Sequence, residues 1–185
     1  MWFDILKSLR RYALSDSDKI NKKERPTGTG SKPRGLWYSF SLGQGWLKFM
    51  QEERHYNLQG KMDSYKYILE LDTSSVNILK INTKKKLDSF IKIYKINPSD
   101  DMDAKFWWPL VALRYDGIEF SNGMYAKHDT IRRNWDMDSG CIWNTTSLKI
   151  KKVKPLEERQ KTYVNPSMRE YYKMREEEMK RREKD

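Results

Sequence analysis

The stretch Lys32–Phe40, KPRGLWYSF, gathers the side chains most able to do chemistry. Pro33 and Gly35 set a turn around Arg34, because Pro fixes φ and Gly tolerates backbone that other residues avoid. Leu36 to Phe40 then reads as a short buried strand of aromatic and apolar residues. A second glycine turn, residues 42–45, leads into a helix over 45–54 that carries Trp46, Phe49 and Met50 at i, i+3 and i+4. Turn, strand, turn and helix would bring Trp37, Tyr38 and Trp46 together as the wall of a ligand pocket, with Ser39 as a hydroxyl beside it. The same aromatic cluster is equally the composition of an ordinary core.

Familiar catalytic patterns are missing. There is no G-x-x-x-x-G-K-[ST] loop, no H-E-x-x-H and no G-x-S-x-G. Gly28-Thr29-Gly30 has no strand before it and carries no phosphate-binding weight. Asp100, Asp101 and Asp103 lack the Gly and distal Glu of an EF-hand and suit a helix N-terminus better. Cys141 stands alone, and His55 and His128 are the only histidines, so neither a disulfide framework nor a Cys or His metal centre is expected. Residues 121–138 read as a long irregular loop bearing Tyr125, Lys127, His128, Arg132, Arg133 and Trp135, and long loops in compact domains are often functional.

The elements that must position these residues follow from periodicity. Tyr67, Leu69 and Leu71 alternate, and Val76, Ile78 and Ile81 follow less cleanly, giving two strands joined by Asp72-Thr73-Ser74-Ser75. Thr83 caps a helix with Leu87, Phe90, Ile91 and Tyr94 on one face, ended by Asn97-Pro98. Pro109 suits the first turn of a helix over Leu110 to Arg114. Asp116-Gly117 turns into the strand Ile118-Glu119-Phe120; Cys141-Ile142-Trp143 and Leu148 to Val153 supply two more. The order β-α-β-β-α-α-β-β-β predicts an α+β domain over 32–156, small, mostly antiparallel and two-sheeted, with flanking helices.

Both ends differ from this middle. Trp2, Ile5, Leu6, Leu9 and Ala13 have helical spacing, so residues 1–31 read as an amphipathic helix over 2–14 and a polar linker. Residues 157–185 read as a charged helix, opened by the capping box Ser167 to Glu170 and laced by i,i+4 pairs such as Glu176–Lys180. The net charge of +11 lies mainly in these ends: residues 1–35 hold nine Lys/Arg against four Asp/Glu, and residues 151–185 hold twelve against eight. No apolar run reaches the ~18 residues of a membrane span, and the first residues lack a signal-peptide core. A reducing, cytoplasmic setting is the expectation, and the sequon at Asn144 is then coincidental.

The middle pieces, in order, resemble the compact ADP-ribosyltransferase fold. The resemblance rests on GLWYSF with the helix bearing Trp46, then YKYILELD, VNILKI, LRYDGIEF and SGCIWNTTSLKIKKV, over about residues 32–154. It implies NAD as substrate and the strand GLWYS with its following helix as the nicotinamide wall. Trp37, Tyr38 and Trp46 would flank nicotinamide, Ser39 would bond its amide or ribose, and Arg34 beside Gly35 would hold the pyrophosphate. The family's glutamate position falls on Ser139, with Asp138 beside it; Asp138 or Glu119 would supply the carboxylate that offsets charge on the ribose. An Arg or His of the first strand should precede Lys32, where Arg25 and, just beyond, Arg34 are the candidates. The implied activity is mono-ADP-ribosylation of a protein or nucleic-acid acceptor, or a fold that has lost that chemistry. The alternative is a binding or assembly protein, of the form of small phage or viral proteins, that contacts nucleic acid or a partner through its basic tails.

Overall fold

The computed structural model describes residues 10–20, 26, 28–40, 64–96, 105–132 and 135–157. The helix over 45–54 with Trp46, Arg25, and the C-terminal helix beyond residue 157 lie outside these residues. The described elements are β1 (Arg11–Ser15), β2 (Thr29–Gly30), β3 (Leu36–Ser39), β4 (Tyr67–Asp72), β5 (Ile78–Ile81), α1 (Lys84–Tyr94), β6 (Phe106–Trp107), α2 (Trp108–Ala112), β7 (Gly117–Phe120), a 3-10 turn (Met124–Lys127), α3 (Asp129–Arg132), β8 (Ser139–Ile142) and β9 (Lys149–Pro155). The architecture is α+β. Seven strands form one sheet in the order β5-β7-β8-β3-β1-β4-β9, and β2 pairs with β6 as a separate ribbon. Every pairing in the large sheet is antiparallel except β5 with β7.

Residues 11–14 correct the last part of the helix expected over 2–14, and residues 2–9 lie outside the described residues. Residues 11–15 form a strand in the interior of the sheet, paired to β3 on one side and β4 on the other. Ala13 has no exposed surface. The sheet therefore includes chain that precedes the expected boundary at Lys32. The polar stretch 15–34 is not all linker either, since Thr29 and Gly30 pair with Trp107 and Phe106.

Only residues 73–77 join β4 to β5. Those strands are five spacings apart in the sheet order, which is roughly 24 Å if flat, and six extended peptide steps reach only about 20–22 Å. The sheet must therefore curl. It does so around the face that carries Ala13, Tyr38, Leu69, Leu71 and Ile142, and Val76 of the short link packs into that same cluster. The opposite face takes α1 and α2. Leu87, Phe90 and Tyr94 of α1 and Trp108 and Val111 of α2 pack there with Phe120 and Trp135. Thr83 caps α1 by accepting the Lys86 N–H, as its sequence position implies.

Candidate functional site

Alternation along a strand sends neighbouring side chains to opposite faces, and this divides the residues of GLWYS. Trp37 joins the α1–α2 face, with its ring 4.8 Å from that of Trp135. Tyr38 joins the curled face and is completely buried. The two aromatics therefore do not form one wall, which corrects the expected nicotinamide sandwich. Lys32 lies over the outer side of Trp37 at 5.7 Å and pairs with Asp136 at 3.5 Å. The buried indole N–H of Trp135 has no partner among the described residues.

Ser39 and Ser139 are register partners across β3 and β8, and both are buried. Ser139 donates its hydroxyl to the Met137 carbonyl at 3.0 Å. Asp138 accepts the Gly123 N–H at 2.9 Å and so ties down the exit of β7. Burial, reinforced by the nearby charge of Glu119, raises the Asp138 pKa against the opposing backbone hydrogen bonds of Gly123 and Asn122. Arg34 is exposed. A Cβ on Gly35 would press on the Ile142 carbonyl and the Cys141 sulfur, so that glycine allows the turn to lie against β8. The loop over 121–138 is more ordered than its sequence suggests: it holds the 3-10 turn and α3, and sends Ile131 and Trp135 into the core.

A different set of residues meets on the curled face. Glu119 of β7, Gly140 of β8 and Tyr38 of β3 stand in one row, because Gly140 is register partner to both of the others. Tyr38 lies across the bare Cα of Gly140 and donates its hydroxyl to Glu119 Oε2 at 3.0 Å. Arg11 reaches the same oxygen from β1, with Nε and Nη2 each at 2.9 Å. Its guanidinium also sits over the Phe40 ring at 5.5 Å. Glu119 is 4% exposed, so this carboxylate is held in a poorly hydrated setting where its charge acts strongly. Burial, then the Glu119 charge, push the Tyr38 hydroxyl well above the ordinary tyrosine range, so it stays a donor. Burial alone would lower the Arg11 pKa, but Glu119 and Tyr38 outweigh it and hold the guanidinium charged.

All three of these donors converge on Oε2. Sequence reasoning named Glu119 and Tyr38 but not Arg11, which lay inside a stretch read as helix.

Asp116, of the motif Tyr115-Asp116-Gly117-Ile118, has a joining role. Its carboxylate accepts the Asn144 side-chain amide at 2.7 Å and the Asn77 N–H at 3.2 Å. Its carbonyl accepts the N–H groups of Trp143 and Asn144. These bonds fix the start of β7 to the chain beyond β8 and to the entry of β5. Among the described residues there is no His, Cys, Asp and Glu cluster able to hold a metal ion, and no helix long and apolar enough to cross a membrane. No family model matches the chain, and no curated protein or solved structure matches it either.

Proposed function

We propose that this chain is a divergent NAD-dependent mono-ADP-ribosyltransferase whose reacting group is Glu119. The observation that carries the reading is the Glu119 carboxylate: nearly buried and held through Oε2 by Arg11 and Tyr38. The resemblance of the strand order calls for three things: an Arg on the first strand, the GLWYS strand, and a carboxylate on a later one. Arg11 on β1, Tyr38 on β3 and Glu119 on β7 answer to these. The carboxylate belongs to the Y-D-G-I strand and not to the later strand at Ser139, a departure from the family pattern.

In this reading Glu119 accepts a ribose hydroxyl of NAD, and its charge offsets the positive charge that grows on the ribose as nicotinamide leaves. Arg11 and Tyr38 hold the carboxylate in place, so little reorganisation is needed at the reacting moment. The test is calorimetric titration with NAD while nicotinamide release is followed. Binding with release, abolished in Glu119→Gln while circular dichroism shows an intact fold, is the expected result. Binding without release would mean a pocket that has lost its chemistry. No binding would overturn the reading and leave a non-enzymatic binding or assembly protein.

A further inference from the structure

The first turn of α1 is Lys84, Lys85 and Lys86, and no acidic residue lies in it. All three side chains are exposed. The N-terminus of a helix already carries partial positive charge, so cations there oppose the macrodipole. Lys84 does pair with Asp88 at 3.3 Å, but with the cation N-terminal to the acid, the weaker orientation. The Thr83 cap and the apolar face of Leu87, Phe90 and Tyr94 hold this helix in place despite its lysines. Charges kept against the local field of the helix have their use outside it.

We infer that Lys84, Lys85 and Lys86 form a surface that takes the phosphate backbone of a nucleic acid. A row of fixed cations is what phosphate neutralisation requires, and the net charge of +11 favours approach of such a partner. A membrane is the weaker fit. The exposed large apolar side chains of α1 and its exit, Ile93 and Ile96, lie at the opposite end of the helix, so the lysine turn has none to enter lipid. The Glu119 site lies on the other face of the sheet from α1. The inference stands whether or not that site reacts.

The experiment uses the full chain and a fluorescein-labelled single-stranded oligodeoxynucleotide, read by fluorescence anisotropy across a salt series. The comparison is with Lys84→Glu/Lys85→Glu/Lys86→Glu. The wild type is expected to lose binding steeply, by about 20-fold between 50 and 200 mM salt for three phosphate contacts. The triple variant is expected to bind at least ~10-fold more weakly, with a log–log salt slope smaller by about 2–3. Its thermal midpoint should stay the same or rise, because acids in the first turn suit the helix, and this separates lost binding from lost folding. Variant binding equal to wild type would move the contact to the tails and overturn the inference. So would an absence of salt-sensitive binding, or binding to phosphatidylserine vesicles alone.

Discussion

Tyr38 and Gly140 face one another across β3 and β8, and the phenol ring fills the space that a side chain at residue 140 would need. A Cβ there would collide with the ring and push its hydroxyl away from Glu119. Gly140→Ala is therefore expected to destabilise the fold by about 1–3 kcal/mol, the usual cost of overpacking. The same substitution in a Tyr38→Ala background should cost much less, because the obstacle is gone. Chemical denaturation of the four proteins in a double-mutant cycle checks this. Equal costs in both backgrounds would show that the ring is not what Gly140 accommodates.

Arg11 and Glu119 form a buried ion pair between β1 and β7. The Arg11 side chain is 16% exposed and that of Glu119 5%, so solvent screens the pair only slightly. Removing one charge strands the other, and Arg11→Met or Glu119→Leu should each cost about 3–5 kcal/mol. The double substitution should be less harmful than the sum of the two, since neither charge is then left unpaired. Tyr38→Phe removes one hydrogen bond to a charged group and should cost about 1.5–3 kcal/mol. Shifts of the urea midpoint at constant slope measure these effects.

Asp138 gives a prediction for pH. Its pKa is raised in the folded protein, chiefly by burial and also by the charge of Glu119, so the native state holds this proton more firmly than the unfolded chain does. The stabilising contribution is complete below the ordinary carboxylate range and fades as pH rises through the folded value. Asp138→Asn does not titrate. Its stability relative to wild type should therefore improve between about pH 3 and pH 7. Unfolding curves at several pH values test the sign, and a difference that does not change with pH would contradict it.

Asp116→Ala removes the acceptor of the Asn144 side chain and of the Asn77 N–H. Both donors are near the surface, so water replaces part of what is lost, and the expected cost is about 1–2 kcal/mol. Amide hydrogen exchange should quicken at Asn77 and at the entry of β5 before it changes in β3.

Local signals carried much of this fold. The turn at Pro33 and Gly35 announces β3, and Thr83 with the stripe Leu87, Phe90 and Tyr94 announces α1. Pro109 falls in the first turn of α2, as its fixed φ requires. Arg11 was hidden because Trp2, Ile5, Leu6, Leu9 and Ala13 fit a period of 3.6, while β1 is only five residues long and offers a weak alternation of its own. The pairing of Trp37 with Tyr38 on one wall fails for the opposite reason: adjacency in sequence is separation in a strand. The row Glu119, Gly140 and Tyr38 comes from three distant segments, and no spacing within the sequence contains it. A glycine inside a strand pattern does mark a close approach, and at residue 140 that was the available clue.

The interior position of β1 has a consequence for the order in which the protein can assemble during synthesis. This early strand finds its partners in β3 and β4, so residues 11–72 can begin a sheet on their own. The other half cannot join them until residues 139–142 emerge, because among the described strands β8 alone connects β7 and β5 to β3. The Glu119 carboxylate thus waits for the late arrival of Gly140 before Arg11 and Tyr38 reach it. Contacts so distant along the chain close slowly, and the nascent protein exposes an apolar half-sheet in the meantime.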